Sequence, residues 1–353
     1  MTDQKQRLLA FIELGSFFRE YCEICKNDPS RSSQSHWHKN FEDIIELAGH
    51  KNGWFTKENI LFAIESWGVL LTKENLENWL SEYQLEANKY KTVALIMAGN
   101  IPLVGFHDFL SVLLTGNRAL IKLSSNDAVL FPFIVKYLIN VEPSLKDGIL
   151  ITEGKLEKFD AVIATGSNNT SRYFEHYFGH KPNVIRKNRN SIAILRGNES
   201  KEQLKALGED VFRYYGLGCR SVSKLFVPKD YDFDSFFKAI YDFNPIIHQA
   251  KYANNYDYNK AVYLMSEFKL LDNGFLMLKK DKSYSSPIAT LFYEEYDSLH
   301  ELKQRLKMDN EKIQCVVADG FFEDEVKFGQ TQTPSLTDYA DGLDTVEFLL
   351  KTT

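Results

Sequence analysis

Cys219 is the residue best placed to do chemistry. It stands in Tyr214-Tyr215-Gly216-Leu217-Gly218-Cys219-Arg220-Ser221, just before the apolar run Ser223–Val227. Glycines directly ahead of a cysteine let the backbone approach a bound ligand closely. Arg220 beside it favours the thiolate, the form that attacks carbonyls. A structural thiol fits the same spacing, so the residues alone leave both readings open. A second constellation begins at Met97-Ala98-Gly99-Asn100-Ile101-Pro102-Leu103, a strand end turning into a helix, where open α/β sheets bind ligands. Asn100 there either caps the turn or aims its amide at an oxyanion. Lys122-Leu123-Ser124-Ser125 and Thr165-Gly166-Ser167 close two further strand patterns and bring hydroxyls and a cation to the same edge. Neither G-x-G-x-x-G nor G-x-x-x-x-G-K-[ST] occurs, so the usual dinucleotide and P-loop fingerprints are missing.

The other cysteines carry less. Cys22 and Cys25 form a C-x-x-C, with His36 and His38 following. Residues 7–25 read as one amphipathic helix and the histidines as part of a Ser-rich loop. The spacing fits no common zinc finger, so no metal site is assigned. Cys315 alternates like a strand core residue and reads as inert.

These residues need a scaffold, and the hydrophobic period supplies one. The first 90 residues are helical in pattern. Phe55-Thr56-Lys57-Glu58-Asn59-Ile60 is echoed by Leu71-Thr72-Lys73-Glu74-Asn75-Leu76, each with Thr as N-cap and an apolar N′/N4 staple. From residue 92 short apolar runs alternate with helical ones. Strands are expected at Thr92–Ala98, Ala119–Leu123, Gly148–Thr152, Asp160–Ala164 and Asn183–Ile185, with helices over Val104–Leu114, Asp127–Ile139 and Asn169–Phe178 between them. Gly116 suits a left-handed position after the first of these helices. A further α/β set follows: strand Ile192–Leu195, helix Lys201–Tyr215, strand Ser223–Val227 and helix Phe233–Tyr241. Later strands are expected at Ile288–Phe292, Ile313–Val317 and Thr345–Leu350, while residues 245–280, with their tyrosines, yield no assignment. Alternation of this kind implies parallel sheets covered on both faces. The domains read as 1–90, a helical segment packed on the cofactor domain; 91–188, Rossmann-like; 189–325, catalytic; and 326–353, a return or oligomerisation segment.

Composition agrees with this picture. A chain of 353 residues has room for two domains at about 150 residues each. Lys and Arg number 42 against 48 Asp and Glu; the net charge of −6 without a basic block argues against nucleic acid as partner. The opening residues lack the apolar core of a signal peptide, and no run reaches the roughly 18 apolar residues of a membrane span. Four cysteines do not make a disulfide framework, which points to a cytoplasmic protein.

The order of the motifs resembles the aldehyde dehydrogenase superfamily. Gly99-Asn100-Ile101-Pro102-Leu103 is similar to its Trp-Asn-Phe-Pro turn. Leu114-Thr115-Gly116-Asn117 through Ile121-Lys122-Leu123-Ser124-Ser125 resembles its A-A-G-N…K-P-S-E segment. Ala164-Thr165-Gly166-Ser167 resembles F-T-G-S, and Gly218-Cys219 its G-Q-x-C nucleophile. Within the superfamily the likeness is to LuxC-type fatty acyl-CoA reductases, on the short length, the helical N-terminal segment and the ending Gly329-Gln330-Thr331-Gln332-Thr333-Pro334…Asp338-Tyr339-Ala340-Asp341-Gly342. The fold implied is aldehyde-dehydrogenase-like: α/β, two parallel-sheet domains with a helical N-terminal segment.

The resemblance also implies roles. Cys219 would attack an acyl-CoA thioester, expel CoA and hold the acyl group. Asn100 and the Cys219 N–H would form the oxyanion hole. Thr165, Gly166 and Ser167 would line the cofactor cleft, with Lys122, Ser124 and Ser125 on the adenosine ribose. Ser125 stands where NAD-preferring relatives carry a ribose-binding Glu, so NADPH is the expected cofactor. The family's E-L-G-G-K-S-P segment aligns with Arg186-Lys187-Asn188-Arg189-Asn190-Ser191-Ile192, so Arg186 replaces the Glu that activates water. Its E-x-F-G-P segment falls near Ser283-Tyr284-Ser285-Ser286-Pro287, without the Glu. The expectation is an NADPH-dependent acyl-CoA reductase with acyl-CoA and CoA as partners, and a homo-oligomer assembled through the Thr345–Leu350 strand. The alternatives are a hydrolytic aldehyde dehydrogenase, an acyltransferase using Cys219 without redox chemistry, and a binding module that has lost its cofactor.

Overall fold

The structure is a computed structural model and describes residues 4–27, 35–85 and 90–352. The chain divides into two compact units, one running up to residue 187 and taking in 335 onward, the other spanning 188–334.

The first unit opens with helices α1 (Gln4–Asn27), α2 (His36–Lys51), α3 (Lys57–Leu70) and α4 (Lys73–Leu80). The echoed Thr residues do cap: Thr56 Oγ1 accepts Asn59 N at 3.3 Å and Thr72 Oγ1 accepts Asn75 N at 3.2 Å. Their staple residues Phe55, Ile60, Leu71 and Leu76 are all buried. His36 and His38, expected in a loop, instead form the first turn of α2. His38 stacks on Phe17 with ring centroids 4.9 Å apart, so the histidine is packing.

The rest of the unit alternates as expected: β1 (Thr92–Ile96), α5 (Phe106–Leu114), β2 (Arg118–Lys122), α6 (Leu130–Val141), β3 (Ile149–Ile151), β4 (Ala161–Thr165), α7 (Asn168–Phe178) and β5 (Asn183–Arg186). The strands lie parallel in the order β3-β2-β1-β4-β5, with Ile96 opposite both Lys122 and Ala164. Alternate residues serve opposite faces, as a pleated strand requires. Val93, Leu95, Ala119, Ile121 and Ile163 join the core made with α1, α3, α5 and α6, where Phe11 meets Phe106 and Phe109 edge-on. Ala94, Leu120, Val162 and Ala164 pack instead against Phe174 and Phe178 of α7. Gly116 takes φ +88°, as its place after α5 suggested.

The second unit comprises β6 (Asn190–Ile194), α8 (Lys201–Phe212), β7 (Val222–Pro228), α9 (Phe233–Ala239), α10 (Ala250–Met265), β8 (Leu270–Asp272), β9 (Met277–Lys280), β10 (Thr290–Tyr296), α11 (Leu299–Met308) and β11 (Ile313–Val317). Its sheet runs β11-β6-β7-β10-β9-β8, parallel except for the antiparallel edge pair β8/β9. The tyrosines that resisted assignment belong to α10. Tyr252, Tyr256 and Tyr263 turn inward, and Tyr252 donates to Phe275 O at 2.9 Å.

One expected strand is a helix. Thr345–Leu350 was expected to form an edge strand, on which self-assembly rested. It is α12 (Thr345–Lys351), capped by Asp344, whose Oδ1 accepts Glu347 N at 2.8 Å. The residue types suit a strand, but Val346 and Leu349 are buried at helical spacing in the first unit's core. The cap and the packing override the propensity. A buried ion pair fixes this helix end. Arg186 at the close of β5 grips Asp108 of α5 through both terminal nitrogens, at 2.5 and 2.8 Å, and also donates to Thr345 Oγ1 at 3.1 Å.

Removing one partner of such a pair strands a charge in the core. Asp108→Ala should therefore cost about 3–5 kcal/mol in urea unfolding, whereas an apolar replacement of both Asp108 and Arg186 should recover most of it.

Candidate active site

The first unit gathers its polar strand ends along one edge. In-register parallel pairing puts the carboxyl ends of β1, β2, β3 and β4 together, so Asn100, Lys122, Ser124, Ser125, Thr165, Gly166 and Ser167 share that edge. The strand order reverses at β1/β4, the switch point where doubly wound sheets take ligands. Asn100 is exposed on its turn, and Ser125 and Ser167 are exposed too. Lys122 reaches across β2 to β3 and donates to Gly154 O at 3.1 Å; among the described residues its ammonium forms no ion pair. Ser124 Oγ accepts Asn126 N at 3.2 Å, and Ser167 caps α7 by accepting Thr170 N at 3.2 Å.

The Asn100 turn is held from beneath. A Cβ on Gly99 would lie 2.7 Å from Ser124 Cβ and 3.0 Å from Asp127 N, so only glycine lets the β1 and β2 turns touch. Asp127 is buried and its Oδ2 accepts Leu103 N at 3.2 Å; Leu103 itself sits at φ +57°. Burial pushes the Asp127 carboxyl up to about 6, against the N–H groups of Leu103 and Leu130 that hold it down. The neighbouring loop is tied to the N-terminal helices: Asn52, the C-cap of α2, donates to Asn126 O at 3.2 Å.

The second unit carries Cys219, exposed on a tight turn closed by Ser221 N to Gly218 O at 3.0 Å. The helix expected to run to Tyr215 stops at Phe212 because three left-handed residues follow: Tyr214 at φ 55°, Tyr215 at φ 59° and Gly216 at φ 76°. A left-handed non-glycine costs on the order of 1 kcal/mol or more, and such residues gather at functional sites. Here the strain throws the chain off α8 and sets Cys219 at the head of β7. From β6, Ser191 Oγ donates to Cys219 O at 2.9 Å. Arg220 donates to Cys315 Sγ at 3.3 Å, so that buried thiol packs against the Cys219 turn.

Other expected positions take structural parts. Arg186, aligned with the water-activating Glu, is buried and committed to Asp108. Ser283–Pro287 covers β7, with Tyr284 O accepting Ser223 Oγ at 2.8 Å. Cys22 and Cys25 lie along α1, and burial pushes Cys22 up to about 12. Among the described residues no three His, Cys, Asp or Glu side chains are grouped as for a metal ion, and no helix is long and apolar enough to cross a membrane.

Comparison with known proteins decides the family. The acyl-CoA reductase (LuxC) profile matches residues 48–240, just over half of the chain and the stretch from the helical repeat through Cys219. The chain belongs to the acyl-CoA reductase (LuxC) family. No curated protein matches it. Among solved structures it is similar to aldehyde dehydrogenase 21 from Physcomitrella patens in complex with succinate, at TM-score 0.68 and 12% identity, covering 99% of this chain and 84% of that one. It is similar also to indole-3-acetaldehyde dehydrogenase complexed with NAD+, at TM-score 0.63 and 13% identity over 90% and 72% of the two chains. The aldehyde dehydrogenase KauB from Pseudomonas aeruginosa gives TM-score 0.63 and 13% identity over the same shares. At such identities the likeness is one of fold. That fold is aldehyde-dehydrogenase-like, as the motif order implied, and the family makes this LuxC member an oxidoreductase of acyl or aldehyde groups.

Three polar residues of the LuxC chain had gone unassigned: Asp108, Asp127 and Asp210. The signal for two of them was present. Asp108 sits in Phe106-His107-Asp108-Phe109-Leu110, and Asp210 falls beside Val211 on the apolar face of α8. A carboxylate on a buried helix face needs donors.

Asp127 gives a pH test. Its proton is bound more tightly folded than unfolded, so its contribution to stability falls as pH rises from about 4 to about 6 and stays low above that. Asp127→Asn should remove this fall, worth on the order of 3 kcal/mol, when urea midpoints of both proteins are compared across that window.

Proposed function

We propose that the protein reduces an acyl-CoA, of long chain in our reading, to the aldehyde and CoA through an acyl thioester on Cys219, with NADPH as reductant, in the cytoplasm. The family match over 48–240 carries the reaction class. The exposed Cys219 on its strained turn carries the nucleophile.

The Cys219 thiolate attacks the thioester carbonyl, and a C–S bond forms as the carbonyl pair moves onto oxygen. The Asn100 amide and the Cys219 backbone N–H stabilise that oxyanion, the role for which donors must be fixed before charge develops. Collapse expels CoA as its thiolate and leaves the acyl group on Cys219. The donor set at the edge of the first sheet fits a phosphorylated ribose: the Lys122 ammonium, the Ser124 and Ser125 hydroxyls, and Thr165, Gly166 and Ser167 across the switch point. Gly99 lets the β1 and β2 turns close on each other at that edge, since a Cβ there would strike Ser124. When bound, a reduced nicotinamide supplies the hydride that turns the acyl thioester into the aldehyde and returns Cys219 to its thiolate.

Two features set the specificity of this reading. A Glu at position 125 would repel a 2′-phosphate, whereas Ser125 beside Lys122 accepts one, and each tenfold preference corresponds to about 1.4 kcal/mol. At the position of the water-activating Glu stands Arg186, which cannot take a proton and already pairs with Asp108. The acyl-enzyme therefore resists water, where general-base help is worth about 10²–10⁴-fold. This argues against a hydrolytic aldehyde dehydrogenase; a redox-silent acyltransferase on Cys219 is the second reading, and consumption of NADPH with acyl-CoA separates it from the reductase. We take the protein to act as a homo-oligomer, a point that size measurement in solution decides.

Four measurements test the proposal. Mixed with acyl-CoA alone, the protein should gain one acyl mass that hydroxylamine removes; Cys219→Ala should not, while Cys22→Ala, Cys25→Ala and Cys315→Ala should. Asn100→Ala should slow acylation by about 10²–10³. Given fatty aldehyde and NADP+, turnover should require CoA and yield acyl-CoA, and NADPH should exceed NADH in kcat/KM. Acylation surviving in Cys219→Ala, free acid formed without CoA, or equal use of the two cofactors would each overturn its part.

A further inference from the structure

The ending Gly329-Gln330-Thr331-Gln332 plays no part in the chemistry above, yet it is among the most tightly held segments of the second unit. Asp210 of α8, fully buried, takes three bonds from it: Gly329 N at 2.7 Å, Thr331 N at 2.9 Å and Thr331 Oγ1 at 2.8 Å. Thr331 is buried as well, and Gly329, at φ +81°, lies where a Cβ would meet Ala206 Cβ of α8 at 3.0 Å. One residue on, the Gln332 amide donates from Nε2 to Ser221 Oγ at 3.2 Å, with both side chains buried.

Ser221 is the last residue of the Cys219 turn, and its own N–H closes that turn on Gly218 O at 3.0 Å. The segment thus grips the strained lead-in to Cys219 at both ends. Asp210 lies four residues before Tyr214 on one side, and Ser221 two residues after Cys219 on the other. Three successive left-handed residues do not hold themselves; they persist where the surroundings over-determine them. Ser191 of β6 supplies one such constraint through Cys219 O. The 329–332 segment supplies another.

We infer that Gly329–Gln332 is a strap that positions the nucleophile turn, with Gln332 acting on Cys219 through Ser221. This rests on Cys219 being the acylated residue. Gln332 and Ser221 are positioning residues, neither touching substrate. Their effect should fall on the orientation of the thiol as it meets a carbonyl, not on the binding of acyl-CoA.

The test is a double-mutant cycle on the full chain with Gln332→Met, Ser221→Ala and the pair. Single-turnover acylation of Cys219 by acyl-CoA is followed by mass spectrometry, and Cys219 alkylation by iodoacetamide by peptide mapping. Each single variant should acylate about tenfold slower at saturating acyl-CoA with unchanged half-saturation, since small displacements of a reacting group cost that much. The pair should lose no more than either alone, the mark of one shared interaction. Alkylation, which needs only an exposed thiolate, should stay within about twofold. Acylation at the wild-type rate overturns the strap, as do additive losses or equal falls in acylation and alkylation. If Gln332→Met does not fold, Ser221→Ala alone decides, since it removes one buried hydroxyl and keeps the backbone. A wild-type protein that acyl-CoA fails to label refutes the nucleophile reading itself, which the variants' rates cannot do.

Discussion

Parallel pairing in register is the constraint from which the rest of this structure follows. With Ile96 opposite Lys122 and Ala164, each strand of the first sheet ends at the same edge, and the polar residues that close the strands meet there. Such a sheet is covered on both faces, so the strands themselves are apolar and functional groups are left to their ends. Val93, Ala94 and Leu95 are buried on alternate faces, and Asn100 stands exposed four residues beyond Ile96. The second sheet repeats the arrangement, with the Cys219 turn leading into β7 instead of ending a strand.

Loops at a strand end still need to be held, and here buried carboxylates hold them. Asp127 holds the Asn100 turn through Leu103 N, Asp108 holds the end of β5 through Arg186, and Asp210 holds the 329–332 segment beneath the Cys219 lead-in. A buried carboxylate is costly unless its oxygens are filled, as both are in Asp108 and Asp210, and that cost makes the geometry specific: a shifted loop would leave charge unpaired. Lys224, fully buried in β7, follows the same logic by donating to Asp281 O at 2.7 Å and Glu294 Oε2 at 2.8 Å. The acyl-CoA reductase chain uses its buried charge to fix backbone at strand ends and beside the Cys219 turn.

Periodicity and punctuation alone determined much of this. Apolar runs of strand length, Thr caps echoed sixteen residues apart, and a left-handed Gly116 all sit where the residue types require, because each is set by neighbours a few positions away. The order of the motifs carried the aldehyde-dehydrogenase-like fold and the LuxC family. The strand ends were legible as an edge because parallel sheets leave few other places for Asn, Lys, Ser and Thr between apolar runs.

What tertiary structure decided were the contacts between residues far apart in sequence. Thr345–Leu350 has the composition of a strand, and only Asp344 as cap and a core waiting for Val346 and Leu349 make it a helix. Tyr214 and Tyr215 continue a helical pattern, and nothing local forces them into left-handed geometry; the surroundings must. Arg186 looked like a substitution at a reacting centre until its partner, 78 residues earlier, made it one half of a buried pair. Gln332 meets Ser221 across 111 residues. Local spacing fixes which backbone conformations a segment prefers, but a buried polar group is satisfied by whatever the folded chain brings to it, and no window of sequence contains both partners.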